Sequence, residues 1–216
     1  MLTLENVEIT GWEAAIRGMR NPKNSWDKSD SYWTHGNVDT LDGNIGDTFF
    51  VGENDLKLMK TLANAGTDHG KFLRMITVTL DINAPLYWWK EYDTYKVGTV
   101  ANSCSTMHKI DAKEFELDDF SHEHLRTMSL NNLTAAIRVL NHYRILYLDS
   151  KEKTYWWQLI QLLPSSYNQR RTVQLNYAVL RNIYHARRHH KLDEWHTLCD
   201  WIEGLPHAEL ITGDAA

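Results

Sequence analysis

The residues best suited to bind a charged ligand lie in one segment near the C-terminus, residues 167–191. Its cationic and imidazole side chains make it the most basic part of an acidic chain: Arg170, Arg171, Arg181, His185, Arg187, Arg188, His189 and His190. The sequence predicts one long helix here, so Asn176 and Arg187 share a face, about three turns apart. Such a face can bind a phosphate through Arg187 and a base or sugar through Asn176. The alternative is a solvated basic helix that pairs with the acidic residues 111–119.

A second candidate is the aromatic-rich stretch from Tyr87 to Thr106, YWWKEYDTYKVGTVANSCST. Lys96 can pair with a phosphate as a point charge, Tyr95 can stack on a ring, and Asn102 and Cys104 can contact a base. The alternative is a loop at a subunit interface, with the alkyl chain of Lys96 lying along apolar surface. A nucleophilic cysteine needs a neighbouring base or cation, and no residue is assigned a catalytic role.

Other chemistries have weaker support in the sequence. His185 and His189 are four residues apart and could bind a metal, but no carboxylate or Cys/His pair completes a ligand set, so no metal is expected. His122 and His124 point to different helix faces and are weaker candidates still. The chain has no Gly-rich phosphate loop of the Rossmann or Walker type and no Gly-x-Ser-x-Gly motif.

Composition restricts the class of protein. The chain has 216 residues, of which 43% are hydrophobic and 24% charged, as expected of a single globular domain spanning 1–216. A net charge of −5 gives no attraction to DNA, RNA or anionic membranes, so any anion must be held by a local basic cluster. No apolar run approaches the roughly 20 residues that span a bilayer. The two cysteines, Cys104 and Cys199, lie in unlike contexts, and with no signal peptide a reduced, cytoplasmic setting is expected.

Hydrophobic patterning predicts the elements that position these residues. Alternation predicts strands over 2–10 and 72–82, and residues 97–106 are expected to be an extended loop or strand. Helices are predicted over 12–19, 55–64 with Asn54 as the cap, from Ala84-Pro85 onward, 129–149, 153–163, 167–189 and from Asp193. The polar residues 22–48 predict a long loop. In each pair Trp88-Trp89 and Trp156-Trp157, one ring is expected in the core and the other against a partner or ligand. The fold class is therefore α+β, a small antiparallel sheet with a largely helical second half.

Three features together resemble the flavin-dependent thymidylate synthases. The first is the strand that ends at Ala84-Pro85 and continues into a helix, because an Ala-Pro of this kind precedes the Arg-His-Arg signature of that family. Without gaps, the three signature positions fall on Thr94, Tyr95 and Lys96. In the family this segment holds flavin.

The residues after the signature extend the resemblance. The serine that follows the signature in the family falls on Cys104, the arginine just after it on Thr106, and a glutamate between signature and serine on Asn102. In the family, the serine and arginine hold the uridylate.

The second feature is Leu163-Pro164, which resembles the Leu-Pro before the last ligand-binding helix of the family. Counting on without gaps, two family asparagines match Asn176 and Asn182, and an arginine matches Arg187, whereas Ala178 stands where another arginine is expected. The third feature is the order of elements, a small sheet region followed by a helical half.

The resemblance implies a homotetramer with sites between subunits, FAD as hydride carrier, and one-carbon transfer from a folate to a pyrimidine nucleotide. It implies seven ligand-binding residues: Tyr95, Lys96, Asn102, Cys104, Asn176, Asn182 and Arg187.

The chain departs from the family at the charged positions. The signature and uridylate positions keep one positive charge, Lys96, and a neutral threonine cannot replace the bidentate guanidinium of an arginine on a phosphate. The alternative is therefore a non-catalytic protein that binds or sequesters a nucleotide on the same fold, with the character of a phage protein. A further alternative is a structural oligomer without a small ligand.

Overall fold

The computed structural model describes residues 2–34 and 48–213. The strands are β1 Thr3–Thr10, β2 Tyr32–Thr34, β3 Thr48–Phe50, β4 Thr77–Pro85, β5 Val100–Ser103 and β6 Asn168–Asn176. The helices are α1 Trp12–Arg20, α2 Glu53–Asn64, α3 Leu86–Tyr92, α4 Thr127–Ser150, α5 Lys153–Leu162, α6 Tyr177–Arg187, α7 Asp193–Glu203 and α8 Glu209–Thr212.

The strands form two sheets. The larger has the order β1-β4-β6-β5, and the smaller is the antiparallel pair β2-β3. Side chains across β1 and β4 confirm the antiparallel direction, because Thr10 contacts Thr77 while Asn6, earlier in β1, contacts Asp81, later in β4. The predicted fold class, α+β with a small antiparallel sheet and a largely helical second half, is confirmed.

The chain divides into two compact units. The first consists of Met1–Val7, Leu80–Lys96 and Val100–Val173, and the second of Glu8–Thr79, Val97–Thr99 and Gln174–Ala216. Strands β1, β4 and β6 each supply residues to both units. A single domain over 1–216 stays a prediction.

The core of the first unit is built on α4 and α5. The predicted stripe of α4 is confirmed, since Leu133, Ile137 and Leu140 are buried. They pack in one cluster with Ile110, Phe115, Phe120 and Leu159. At the end of the stripe, Arg144 donates from Nε to the carbonyl oxygen of Asp111 over 2.9 Å. Helix α4 therefore holds the irregular segment around residue 111 in place through apolar packing and a hydrogen bond.

The second unit contains helices α1, α2, α6, α7 and α8. Helix α7 begins at Asp193 as predicted, and its residues Trp195, Leu198 and Ile202 are buried. Helix α2 begins at Glu53, so the prediction that Asn54 caps it is wrong. Its first turn is capped from outside, because the carboxylate of Asp30 accepts hydrogen bonds from the backbone N–H groups of Asn54 and Asp55.

The predicted long helix over 167–189 is wrong. The segment begins as strand β6, which occupies the sheet between β4 and β5, and becomes helical at Tyr177. Within β6, Val173 and Leu175 are buried while Thr172 and Gln174 are exposed, so the period is two. The many polar and basic residues hid this period in the sequence, and pairing with two neighbouring strands overrides local helix propensity.

Two further boundaries differ from prediction. Residues 72–82 were expected to be one strand, but Gly70–Arg74 forms a 3-10 turn and β4 begins at Thr77. The loop expected over 22–48 contains a 3-10 turn at Trp26–Lys28 and strand β2, while residues 35–47 lie outside the described residues.

Candidate functional site

Helix α3 supports the first cluster of candidate residues. It begins after Pro85, whose fixed φ of −68° suits a helix start. Trp88 and Trp89 are both buried, so the expectation that one ring of this pair faces a partner or ligand is wrong. The Tyr92 ring stacks on Trp88, with centroids 5.1 Å apart. The helix therefore ends in a rigid aromatic block, directly before the segment 93–96.

Arg171 of β6 lies against this block. Its guanidinium carbon is 4.1 Å from the centroid of the Trp89 ring. Nη1 donates to Oδ1 of Asp93 over 2.7 Å, and Nε donates to Oε1 of Gln169 over 3.0 Å. The indole Nε1 of Trp89 donates in turn to the carbonyl oxygen of Gln169 over 2.9 Å. A planar cation is thus held on a ring face by two acceptors.

Gln169 connects this cation to the predicted site residue Cys104. Its Nε2 donates to the carbonyl oxygen of Cys104 over 2.7 Å, while its Oε1 accepts from Arg171. The backbone N–H of Cys104 donates to the carbonyl oxygen of Arg170 over 2.9 Å. The structure therefore brings Cys104, Gln169, Arg171 and Asp93 together. Sequence analysis named Arg171 only as one of several basic residues and did not single out Gln169 or Asp93, because the segment around 169–171 was expected to be helical and not to lie beside residues 93 and 104.

The other predicted residues of the first unit lie at its surface. Lys96 and Asn102 are exposed, and the thiol of Cys104 is exposed as well. Tyr95 is half-buried, with its ring centroid 6.5 Å from that of Tyr92. These four side chains are accessible to a ligand, and Tyr95 is the one supported by the aromatic block.

The hydroxyl of Tyr92 has a distinctive environment. Its oxygen is buried and has no hydrogen-bond partner among the residues that the structure describes. Burial raises the pKa of Tyr92, the charge of Asp93 adds to this effect, and the charge of Arg171 partly offsets it. The hydroxyl therefore stays protonated as a donor close to the Arg171–Asp93 pair.

The neighbouring Arg170 has a different role on the outer face of the sheet. Its Nη2 donates to Oδ2 of Asp81 over 2.7 Å, and Thr172 and Asn6 donate to the same carboxylate over 2.6 and 2.8 Å. These hydrogen bonds, led by that of Arg170, hold the pKa of Asp81 well below its usual range. The network joins β1, β4 and β6. The charge of Arg170 is compensated by Asp81, so Arg170 has a structural role in the sheet.

Asn176 belongs to the second unit and ends strand β6. Its Oδ1 accepts from the backbone N–H of Val179 over 3.1 Å, which makes Asn176 the N-cap of α6. Gly98 approaches closely, since a Cβ at this glycine would lie 3.1 Å from Nδ2 of Asn176. With φ at +80°, the backbone of Gly98 also has the conformation that favours glycine.

Asn182 and Arg187 lie farther along the same helix. Asn182 is exposed, and Arg187 is half-buried with its guanidinium carbon 4.8 Å from the Trp195 ring centroid. Because Asn176 caps the helix and Arg187 is its last residue, they stand at opposite ends, about 16 Å apart along the axis. This separation is the predicted three turns, although the helix begins only after Asn176, and both the shared face and the assignment as ligand residues stay predictions.

The possible histidine pair on α6 does not form. The helix ends at Arg187, so His189 lies beyond it, while His185 points toward the backbone of Ile211 and Gly213. Burial and the charge of Arg181 lower the pKa of His185. Within residues 2–34 and 48–213 no group of three or more His, Cys, Asp or Glu side chains is arranged to hold a metal ion. In the same residues, no helix is both long and apolar enough to cross a membrane.

Comparison with known proteins identifies the fold. No protein-family profile matches the chain, and no curated protein sequence matches it. Among solved structures, the flavin-dependent thymidylate synthase ThyX from Helicobacter pylori complexed with FAD and dUMP superposes with a TM-score of 0.67 and 19% identity, covering 97% of each chain. The UMP/dUMP methylase PolB from Streptomyces cacaoi bound with 5-Br dUMP superposes with a TM-score of 0.66 and 15% identity, covering 98% of this chain and 95% of that one. The chain therefore has the fold of the flavin-dependent thymidylate synthases, as the sequence resemblance implied.

Proposed function

We propose that the protein binds a pyrimidine nucleotide, with a uridine monophosphate as the ligand class. The observation that carries this proposal is a full-length likeness to two kinds of protein that were both solved with uridine nucleotides, dUMP in one and brominated dUMP or UMP in the other. Similar folds host unrelated functions, so the residues of this chain must support the ligand as well.

The accessible predicted residues supply suitable groups. In the first unit, Lys96 is a cation for a phosphate and Tyr95 offers a ring for stacking. In the second unit, Arg187 is a cation for a phosphate and Asn182 is an exposed amide for a base or sugar. Asn102 and Cys104, on and directly after β5 in the same unit as Tyr95 and Lys96, are further polar groups for a ligand. Asn176 keeps its Nδ2 as a donor, because its Oδ1 is used in capping α6.

FAD is the proposed cofactor, on the ground that the Helicobacter pylori protein was solved with it. The fit is favourable in two respects: the half-buried ring of Tyr95 lies beside the aromatic block and is accessible for stacking, and the exposed Lys96 in the same segment carries a positive charge. When bound, a flavin supplies hydride transfer during one-carbon transfer to the pyrimidine, and the protein supplies orientation and electrostatics. The side chains would hold the uridylate, orient its ring and limit access of water.

A second candidate function is binding without turnover. Thr94 and Thr106 are neutral where the family carries arginines, and Ala178 has no side chain that could reach a phosphate. A protein with these replacements can retain or sense a nucleotide without transforming it, as a nucleotide-sequestering protein of a phage would. The two functions share the ligand and differ in the cofactor.

We further propose a homotetramer in a cytoplasmic setting. Large apolar side chains are exposed on the long helices of the first unit, with Met128 77% and Ile145 62% exposed, and burying such side chains favours association. The exposed free thiol of Cys104 suits a reducing compartment.

The first experiment is an absorbance spectrum of the purified protein from the near-UV to roughly 500 nm, where flavins absorb, with mass spectrometry of whatever heat releases. A yellow protein that releases FAD supports the enzyme. A colourless protein that releases an intact nucleotide supports sequestration. A protein that releases neither, and that shows no thermal shift with dUMP or FAD, contradicts both functions.

Arg187→Ala tests the site. We expect loss of dUMP binding by calorimetry with an unchanged oligomeric state. Arg188→Ala is the matched control, because Arg188 also stacks on an aromatic ring, 4.9 Å from the centroid of Tyr184, but is no predicted ligand residue. Equal affinities in the two variants would remove Arg187 from the site.

A further inference from the structure

Two adjacent arginines on β6 have opposite environments. Arg170 faces the outer side of the sheet, where Asp81 and Glu5 compensate its charge. Arg171 is on the other side, with a side chain only 14% exposed, pressed on Trp89 and bonded to Asp93 and Gln169. A guanidinium fixed in this way is pre-organised, so little rotamer entropy is lost when it binds an external group.

Arg171 keeps unused donors at this position. A guanidinium has N–H donors on Nε, Nη1 and Nη2, and here Nε and Nη1 bond Gln169 and Asp93. Nη2 takes part in neither of these two hydrogen bonds. The buried hydroxyl of Tyr92 has no hydrogen-bond partner within the part of the chain that the structure describes. A buried donor without a partner, beside a fixed cation, indicates that an acceptor is missing.

Asp93 is a replaceable partner of Arg171. Its side chain is 52% exposed, so its carboxylate can turn to water at low cost once another anion is available. Carboxylate and phosphate oxygens present the same bidentate geometry to an arginine. In the free protein, the Asp93 carboxylate thus occupies a position that an external phosphate can take.

We propose that Arg171 binds the anionic group of the ligand, and that Asp93 is an internal competitor for the same donors. The proposal rests on the proposed function, because it takes the ligand to be a nucleotide and assigns its phosphate. Thr94, which follows Asp93 and stands where the family has an arginine, carries no charge. Arg171 on β6 supplies beside Asp93 the guanidinium that a phosphate needs. Lys96, in the same segment, adds a second positive charge. Gln169 is the positioning residue that links Arg171 to Cys104.

Calorimetric titration of the full chain with dUMP tests the proposal. Arg171→Gln is expected to weaken dUMP binding by about 10- to 100-fold, the usual effect of losing a charge-assisted hydrogen bond. Arg170→Gln, the matched neighbour, is expected to leave the affinity within about 2-fold. Asp93→Asn is expected to strengthen binding several-fold, because it removes the competing charge while keeping the side-chain shape.

Two further ligands separate the contribution of the phosphate. With deoxyuridine, which has no phosphate, Arg171→Gln and wild type are expected to bind equally. With inorganic pyrophosphate, the order of affinities is expected to be Asp93→Asn, then wild type, then Arg171→Gln. If Arg171→Gln does not fold, Arg171→Lys is used in its place. Lysine keeps the positive charge but lacks the bidentate guanidinium, so an intermediate loss of dUMP affinity is expected.

The outcomes are decisive. Tight dUMP binding by Arg171→Gln, or weakened binding by Asp93→Asn, overturns the inference and leaves the proposed function standing. Pyrophosphate binding that depends on Arg171, with no binding of dUMP or FAD, supports the inference and contradicts the proposed function. Absence of binding to all these ligands contradicts both.

Discussion

Arg20 and Asp55 form a buried ion pair in which Nε of Arg20 lies 2.6 Å from Oδ1 of Asp55, and the two side chains are 5% and 0% exposed. The other carboxylate oxygen accepts hydrogen bonds from the hydroxyls of Ser29 and Ser31. The pair therefore joins α1 to α2 and fixes the irregular segment between α1 and β2.

Asp55→Asn is expected to destabilise the protein by about 3–5 kcal/mol, because it leaves the charge of Arg20 buried without a compensating negative charge. The free energy of unfolding in urea measures the loss. Lys60→Gln is the control, since the Lys60–Glu209 pair is exposed and contributes about 0–1 kcal/mol. Similar losses in the two variants would contradict the assigned role of the buried pair.

The contribution of Asp55 is expected to depend on pH. Burial raises the pKa of this carboxyl, but hydrogen bonds from Ser29, Ser31 and Arg20 outweigh burial and hold it below its usual range. A depressed pKa in the folded state adds stability that is complete above the ordinary aspartate pKa of about 3.9 and is lost as the pH falls through the folded value. Urea midpoints of wild type and Asp55→Asn should therefore converge below about pH 4. A gap that is independent of pH would exclude titration of Asp55 as its cause.

Asn176 has both a structural and a proposed binding role, and two substitutions separate them. Asn176→Ala removes the cap of α6 and should cost about 1 kcal/mol of unfolding free energy, whereas Asn176→Asp keeps the acceptor and most of that stability. Both variants lose the Nδ2 donor, so both should bind dUMP more weakly. Asn182→Ala, at an exposed position, should weaken binding with a stability change within about 0.5 kcal/mol. Unchanged dUMP affinity in Asn176→Asp would leave this residue a purely structural role.

Gly98→Ala is expected to destabilise the start of α6. An alanine must adopt φ near +80°, and its Cβ would lie 3.1 Å from Nδ2 of Asn176 and 3.2 Å from Cγ2 of Val179. Gly66→Ala is the matched control, because its φ of +105° carries similar strain but nothing lies within 4 Å of the added Cβ. We expect about 1–2 kcal/mol for the control and a larger loss for Gly98→Ala in thermal or urea unfolding. A smaller loss at Gly98 would show that its neighbours adjust freely.

The two thiols are expected to react at very different rates. Cys104 is exposed, whereas Cys199 is buried, and burial, with a contribution from the charge of Asp200, raises the pKa of Cys199 to about 11. Because the thiolate is the reactive form, a disulfide reagent should modify Cys104 in the native protein and Cys199 only after unfolding. Cys104→Ser should abolish the fast phase and Cys199→Ser should leave it. A fast phase that persists in Cys104→Ser would mean that Cys199 is accessible.

Several elements were predictable because their signals are local. The apolar stripe Leu133, Ile137 and Leu140 specifies α4, and the Ala84-Pro85 pair marks the start of α3. The gapless spacing from Ala84-Pro85 and from Leu163-Pro164 was sufficient to indicate the fold that the structural comparison then identified. Register and caps were less predictable, as Asn54 shows, because the group that caps α2 comes from Asp30, distant in sequence.

The sequence by itself determined the α+β class and the helical second half, because periodicity is a property of neighbouring residues, and its Ala-Pro and Leu-Pro motifs resemble those of the flavin-dependent thymidylate synthases. The tertiary structure alone decided that residues 168–176 form a strand, because strand pairing depends on partners far away in the chain. Because this segment is a strand, Asn176 is the N-cap of α6, and Arg171 stacks on Trp89 beside Asp93. The position of Arg171, on which the proposed binding of the phosphate depends, is thus set by non-local pairing, and no local pattern encodes it.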